Sequence, residues 1–182
     1  WVKEWGLYAA LKEDAGGHGW QAFTKPLRDR KAAALTKAKN LHREKINLEI
    51  SRQRIFFEQW AALRQYAASH GIEMVGDMPI FISTDSCETW TQRELFRWGK
   101  NWHADPETGA PPDAFTERGQ CWGSPHYNWK KHQQNKFEWW VERIKGELKL
   151  TDWVRIDHFR GFCAAWEIPK SAAGDARLGK WG

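Results

Sequence analysis

The sequence predicts an α/β fold, on three features. A helical stretch ends at His70-Gly71 and runs at once into Ile72-Glu73-Met74-Val75-Gly76-Asp77, a helix–glycine–strand junction typical of α/β units. A second apolar run, Trp153-Val154-Arg155-Ile156, also closes on an acid, Asp157. Two strands of parallel type thus end in aspartate, and the carboxyl ends of strands are where α/β barrels build their sites. A doubly wound sheet fits the same pattern, but no Gly-rich phosphate loop follows either strand.

The elements follow in order. Trp5 to Glu13 carries Leu7, Tyr8, Ala10 and Leu11 as a short amphipathic helix, and the glycines of 14–19 end it. Trp20 to Leu27 is irregular. From Asp29 to Ser69 the pattern is helical, with Phe56, Trp60, Leu63 and Ala67 on one expected face and a break expected near Lys39–His42. Met78 to Ser83 extends the first strand, bent by Pro79. Residues 84–129 are rich in aromatics, proline and glycine. A segment of that length is either functional or carries small elements of its own. Asn128 to Leu150 is expected to be one helix, with Phe137, Trp140, Val141, Ile144 and Leu148 at helical spacing. Trp153, Val154 and Ile156 are expected to be buried in the strand that follows. The organisation expected is one catalytic domain, 1–182: helical to 70, a barrel strand at 71–83, a substrate-loop insertion at 84–129, a helix at 130–150 and the second strand with its loop at 151–182.

Composition narrows the class. Hydrophobic residues make up 41% of the 182 and the charges are mixed, as in an ordered soluble protein. Tryptophan stands out with 14 copies. Indole faces stack on the apolar C–H faces of sugars, although most tryptophans belong to packing. The net charge of +5 is concentrated between Lys25 and Arg54. Such a stretch is a solvated helix face more often than a nucleic-acid site, and no nucleic-acid motif accompanies it. Cys87, Cys121 and Cys163 are scattered, which suits free thiols in the cytoplasm. His103, His126 and His132 lack metal-ligand spacing, and there is no apolar run of membrane length. Trp1 opens directly into a helix without an initiator methionine, so an internal piece of a longer chain is expected.

Arg155 and Asp157 lie two apart, on one face of their strand. A nearby guanidinium favours the ionised carboxylate. The pair fits a structural salt bridge and a catalytic anion equally well. Gly119-Gln120-Cys121-Trp122-Gly123 places an amide and an indole between glycines, which suits a polyhydroxylated ligand or, equally, a packing plug.

Several runs occur together in this order: Gly76-Asp77-Met78-Pro79-Ile80-Phe81, Asp85-Ser86 through Trp90, Pro111-Pro112-Asp113, Gly119 to Gly123, Arg155-Ile156-Asp157-His158-Phe159-Arg160-Gly161 and Trp166-Glu167-Ile168-Pro169. Together they resemble the 4-α-glucanotransferases of glycoside hydrolase family 77, also called amylomaltases or disproportionating enzymes. The resemblance covers essentially the whole chain. It implies part of a TIM (β/α)8 barrel of the α-amylase type with helical and loop insertions, and retaining transfer of α-1,4-glucan segments between starch chains or maltooligosaccharides. It implies Asp157 as nucleophile, with Arg155 beside it. His158, Asp77, Asp113, Gln120 and Trp122 fall on substrate-binding positions. No cofactor, metal, nucleic acid or membrane is implied. The chain departs from the family pattern at Cys87-Glu88-Thr89 and Ala114, and in the segment 97–110. The acid/base glutamate and a third carboxylate have no match among these residues, and Glu167 does not fit the motif. An α-glucan hydrolase, a non-catalytic glucan-binding protein and a nucleic-acid binder resting on the basic stretch are the rival readings.

Overall fold

The structure, a computed structural model, describes all 182 residues. The chain divides into two compact units. The first comprises Trp1–Met74 and Asp85–Thr91; the second comprises Val75–Thr84 and Gln92–Gly182.

The first unit is helical. Its elements are α1 (Val2–Asp14), α2 (Lys25–Arg28), α3 (Ala32–Leu41), α4 (Arg43–Ser69) and, later in sequence, α5 (Cys87–Thr91). The expected break between α3 and α4 falls at His42, whose Nε2 lies 3.1 Å from Asp14 Oδ2. Buried Leu7, Tyr8 and Leu11 of α1 form the core with Trp20, Phe23 and Trp90. Fully buried indoles need a partner for the N–H. Trp20 Nε1 donates to Thr89 Oγ1 at 3.1 Å, and Trp90 Nε1 donates to the Leu27 carbonyl at 3.2 Å. Asp85 accepts from the Tyr8 hydroxyl and, at 2.5 Å, from Lys12 Nζ, which ties the 85–91 segment to α1. Burial and the Asp85 carboxylate push the Tyr8 phenol up, and burial pushes the Cys87 thiol up to about 12.

The expected common face of α4 is largely open: Phe56 and Leu63 are each 48% exposed, and only Ala67 is buried. Helical spacing reports that residues share a face, and it carries no information on what covers them. The basic stretch is extensively neutralised. Lys25 pairs with Asp29, Arg30 and Lys39 with Glu4, Lys45 with Asp14, Arg52 with Glu49, and Arg54 with Glu58. It is a solvated, ion-paired surface. No helix of the chain is long and apolar enough to cross a membrane.

The second unit holds the strands. β1 (Val75–Pro79) and β4 (Trp153–Asp157) form a parallel pair, with Asp77 opposite Arg155 and Pro79 opposite Asp157. β1 ends at Pro79, so the extension expected to Ser83 is not strand. β2 (Glu107–Ala110), β3 (Gln120–Pro125), β5 (Trp166–Ile168) and β6 (Lys180–Trp181) form an antiparallel sheet in the order β3-β2-β5-β6. The 84–129 stretch therefore carries small elements of its own. The long helix expected from 128 to 150 is two helices, α6 (Trp129–Gln134) and α7 (Glu138–Leu148). Lys136 and Phe137 adopt left-handed φ values of 56° and 57° between them. Asn128 caps the start of α6, accepting from the Lys131 N–H. Met78, Ile80, Phe81, Leu95, Phe96, Tyr127, Trp139 and Trp140 form the core of this unit, against which Val154 and Ile156 pack. Trp153, expected inside, is 59% exposed, because it shares the outward face of β4 with Arg155 and Asp157.

Candidate active site

β1 and β4 bring three predicted residues together. The parallel register sets Asp77 beside Arg155, and the two-residue strand period puts Asp157 on the same face. The Arg155 guanidinium bridges both acids: Nη1 donates to Asp77 Oδ2 at 2.6 Å and Nη2 to Asp157 Oδ1 at 2.8 Å. More than half of each of the three side chains is open to solvent. One planar cation fixed between two carboxylates orients both, and Asp157 Oδ2 is left without a protein partner.

His158 follows Asp157 and starts a tight turn in the left-handed region, with φ of 53°. That conformation turns its ring away from the run of the strand. The ring meets Trp122 edge-on, with centroids 5.2 Å apart at 79°, and Phe81 at 6.2 Å. His158 Nε2 is shielded from solvent and has no hydrogen-bond partner. Trp122 and Gln120 share one face of β3, and the indole N–H donates to Gln120 Oε1 at 3.0 Å. The hairpin that carries them is anchored by the Thr84 hydroxyl, which donates to the Gly123 carbonyl at 2.5 Å. Gly119 closes the β2–β3 connection at φ of +67°, where an added Cβ would stand 2.5 Å from the Ala110 carbonyl oxygen. The glycine thus fixes where Gln120 begins.

Asp113 does not join this group by any contact. Its Oδ1 accepts from the Thr116 N–H at 2.7 Å, the Phe115 N–H at 2.8 Å and the Thr116 hydroxyl at 3.1 Å. Those donors, the Thr116 N–H first, hold the carboxyl below the usual value. The side chain shapes the loop tip, on which Phe115 is 96% exposed. Glu167 lies on β5 and is ion-paired with Arg97. No cluster of three His, Cys, Asp or Glu side chains fit for a metal occurs.

Phe81 is the site residue that sequence reasoning missed. It sits among Trp122, His126, Tyr127 and His158. Its signals were an aromatic just past the strand that carries Asp77 and its place in the Gly76–Phe81 run.

Two carboxylates held by one arginine on a shared face of neighbouring parallel strands, beside a histidine and an aromatic hairpin, fit the α/β-barrel class. The family model described as 4-alpha-glucanotransferase, glycoside hydrolase family 77, matches residues 1–181, and the chain belongs to that family. It is 41% identical over 181 residues to the 4-alpha-glucanotransferase of Thermus thermophilus, covering all of this chain and 36% of that protein. It is 40% identical over 169 residues to the 4-alpha-glucanotransferase of Aquifex aeolicus (strain VF5), covering 93% of this chain and 35% of the relative. The solved amylomaltase from Streptococcus agalactiae in complex with acarbose matches with a TM-score of 0.95 at 38% identity, over 100% of this chain and 37% of that one. The chain thus spans little more than a third of the length of these relatives, and its fold is that of part of an amylomaltase barrel.

Proposed function

We propose that these residues form the nucleophile-bearing part of a 4-alpha-glucanotransferase that moves α-1,4-glucan segments between maltooligosaccharides or starch chains. The observation that carries it is the Asp77–Arg155–Asp157 bridge on one exposed strand-end face, in a chain of this family. Asp157 attacks the anomeric carbon, and the electron pair of the glycosidic C–O bond leaves with the departing oxygen. A carboxylic acid outside these 182 residues protonates that oxygen, then takes the proton of the incoming sugar hydroxyl. Two displacements at one carbon retain its configuration. Arg155 orients Asp157 through its hydrogen bond to Oδ1. His158 stands beside the β2–β3 hairpin with its Nε2 unpartnered, and Trp122 with Gln120 offers an apolar face and an amide on the acceptor side. Shielding by that hairpin favours a sugar over water as acceptor. Asp77 and Asp113 serve binding, the second by shaping the loop tip. Neither a cofactor nor a metal takes part. The free cysteines suit a reducing compartment, which we take to be the cytoplasm; the relative from Arabidopsis thaliana carries a chloroplastic name.

The test is a full-length family protein containing these residues, incubated with maltotriose. Products both longer and shorter than the substrate support transfer, and Asp157→Asn abolishes them. Shorter products alone would assign an α-glucan hydrolase. Full activity in Asp157→Asn would sink the catalytic reading and leave glucan binding.

A further inference from the structure

β1 ends at Pro79, directly opposite Asp157. Proline has no N–H to offer at that point. The carbonyls there are held instead from α7. Arg143 Nη2 donates to the Pro79 carbonyl at 2.5 Å, and Nη1 donates to the Ile80 carbonyl at 3.0 Å. Nη1 also reaches the Tyr127 hydroxyl at 3.2 Å, and that hydroxyl donates to the same Ile80 carbonyl at 2.6 Å. The guanidinium lies over Trp139 and Trp140, at 5.3 and 5.2 Å from their ring centroids. A planar fork reaches two successive carbonyls; an ammonium is a point donor and holds one. The Ile80 side chain then touches the turn that bears His158. Ile80 and His158 both lie against Gly161, at 3.0 Å (Cδ1) and 3.1 Å (Cδ2) from where a Cβ on that glycine would stand.

We infer that Arg143 is a positioning residue for the reaction: by clamping the Pro79 and Ile80 carbonyls it sets where Asp157 and His158 stand. This rests on the proposed function of Asp157. Arg143 touches no substrate in this role. Its loss is felt at the chemical step, where a displacement of about 1 Å costs up to about 10²-fold.

The experiment compares Arg143→Lys and Arg143→Gln in a full-length family protein containing these residues. kcat and KM for maltotriose disproportionation are measured alongside the melting temperature. The expected result is a kcat lowered about 10-fold in Arg143→Lys and about 30-fold in Arg143→Gln, with KM within about twofold and the melting temperature of the lysine variant close to the parent's. An unchanged kcat in folded variants overturns the inference. So does a loss that tracks the melting temperature through both variants. If neither variant folds, Tyr127→Phe carries the test, with kcat expected to fall about threefold at constant KM; an unchanged kcat then overturns it. Asp157→Asn is the control. Transfer retained there refutes the function of Asp157, whereas transfer lost there but untouched in the Arg143 variants refutes only the clamp.

Discussion

Asp77 and Asp85 lie eight residues apart and end in opposite situations. Asp77 stands on an exposed strand face, 60% of its side chain open, and shares the Arg155 guanidinium with Asp157. Asp85 is held by α1, with the Tyr8 hydroxyl and Lys12 as its donors and 33% of its side chain open. One carboxylate is oriented by a cation and still faces solvent. The other has its donors supplied by a neighbouring helix, one of them a phenol that its surroundings keep protonated. The residue type is the same; partners and exposure separate a group available for chemistry from one that fastens a segment in place.

That contrast can be broken by substitution. The largest expected effect is Asp157→Asn in a full-length family protein, with a loss of transfer of about 10³-fold or more and little change in stability, measured by product formation from maltotriose. Next is Arg155→Met, expected to lower kcat about 10²-fold, because it removes the one cation that orients both acids. Asp85→Asn should do the reverse: about 1–2 kcal/mol lost in urea unfolding and no selective fall in kcat. A fall in kcat at constant stability there would erase the distinction drawn between the two aspartates.

The smallest effect is on pH dependence. Burial lowers the titration of His126 and His132 below the ordinary 6.5, even though each ring bonds a backbone carbonyl. Below pH 6.5 the unfolded chain takes up protons that the native chain refuses until lower pH. The stability from keeping these rings neutral is therefore full above that pH and lost as the pH falls toward their native values. The urea midpoint should drop on acidification from neutral pH, and His132→Gln should flatten the drop.

Asp157 was legible as a strand-end acid because a short apolar run that stops at an acid needs no tertiary information, whereas Asp77, expected to end its strand, lies in the middle of β1. The common face of Arg155 and Asp157 followed from the strand period alone. Their link to Asp77 did not, since it depends on the register between strands 78 residues apart in sequence. The split of the 128–150 helix was hidden for a different reason. Apolar spacing continues across Lys136 and Phe137, while backbone reversal there is a local choice that side-chain hydrophobicity does not encode. For α4 the shared face was visible in sequence and its covering was not. Asp113 carried a family motif, yet its local environment, three donors from Phe115 and Thr116, belongs to the turn.

Phe115 stands almost wholly in solvent at the tip between β2 and β3. A bare aromatic on a surface turn is a preferred cleavage point for a chymotrypsin-like protease. The hairpin that carries Gln120 and Trp122 therefore comes with its own reporter. The rate at which the chain is nicked at that bond reports how accessible the loop tip is. A glucan lying along it would slow the cut, so occupancy can be followed on a gel with no catalytic turnover at all.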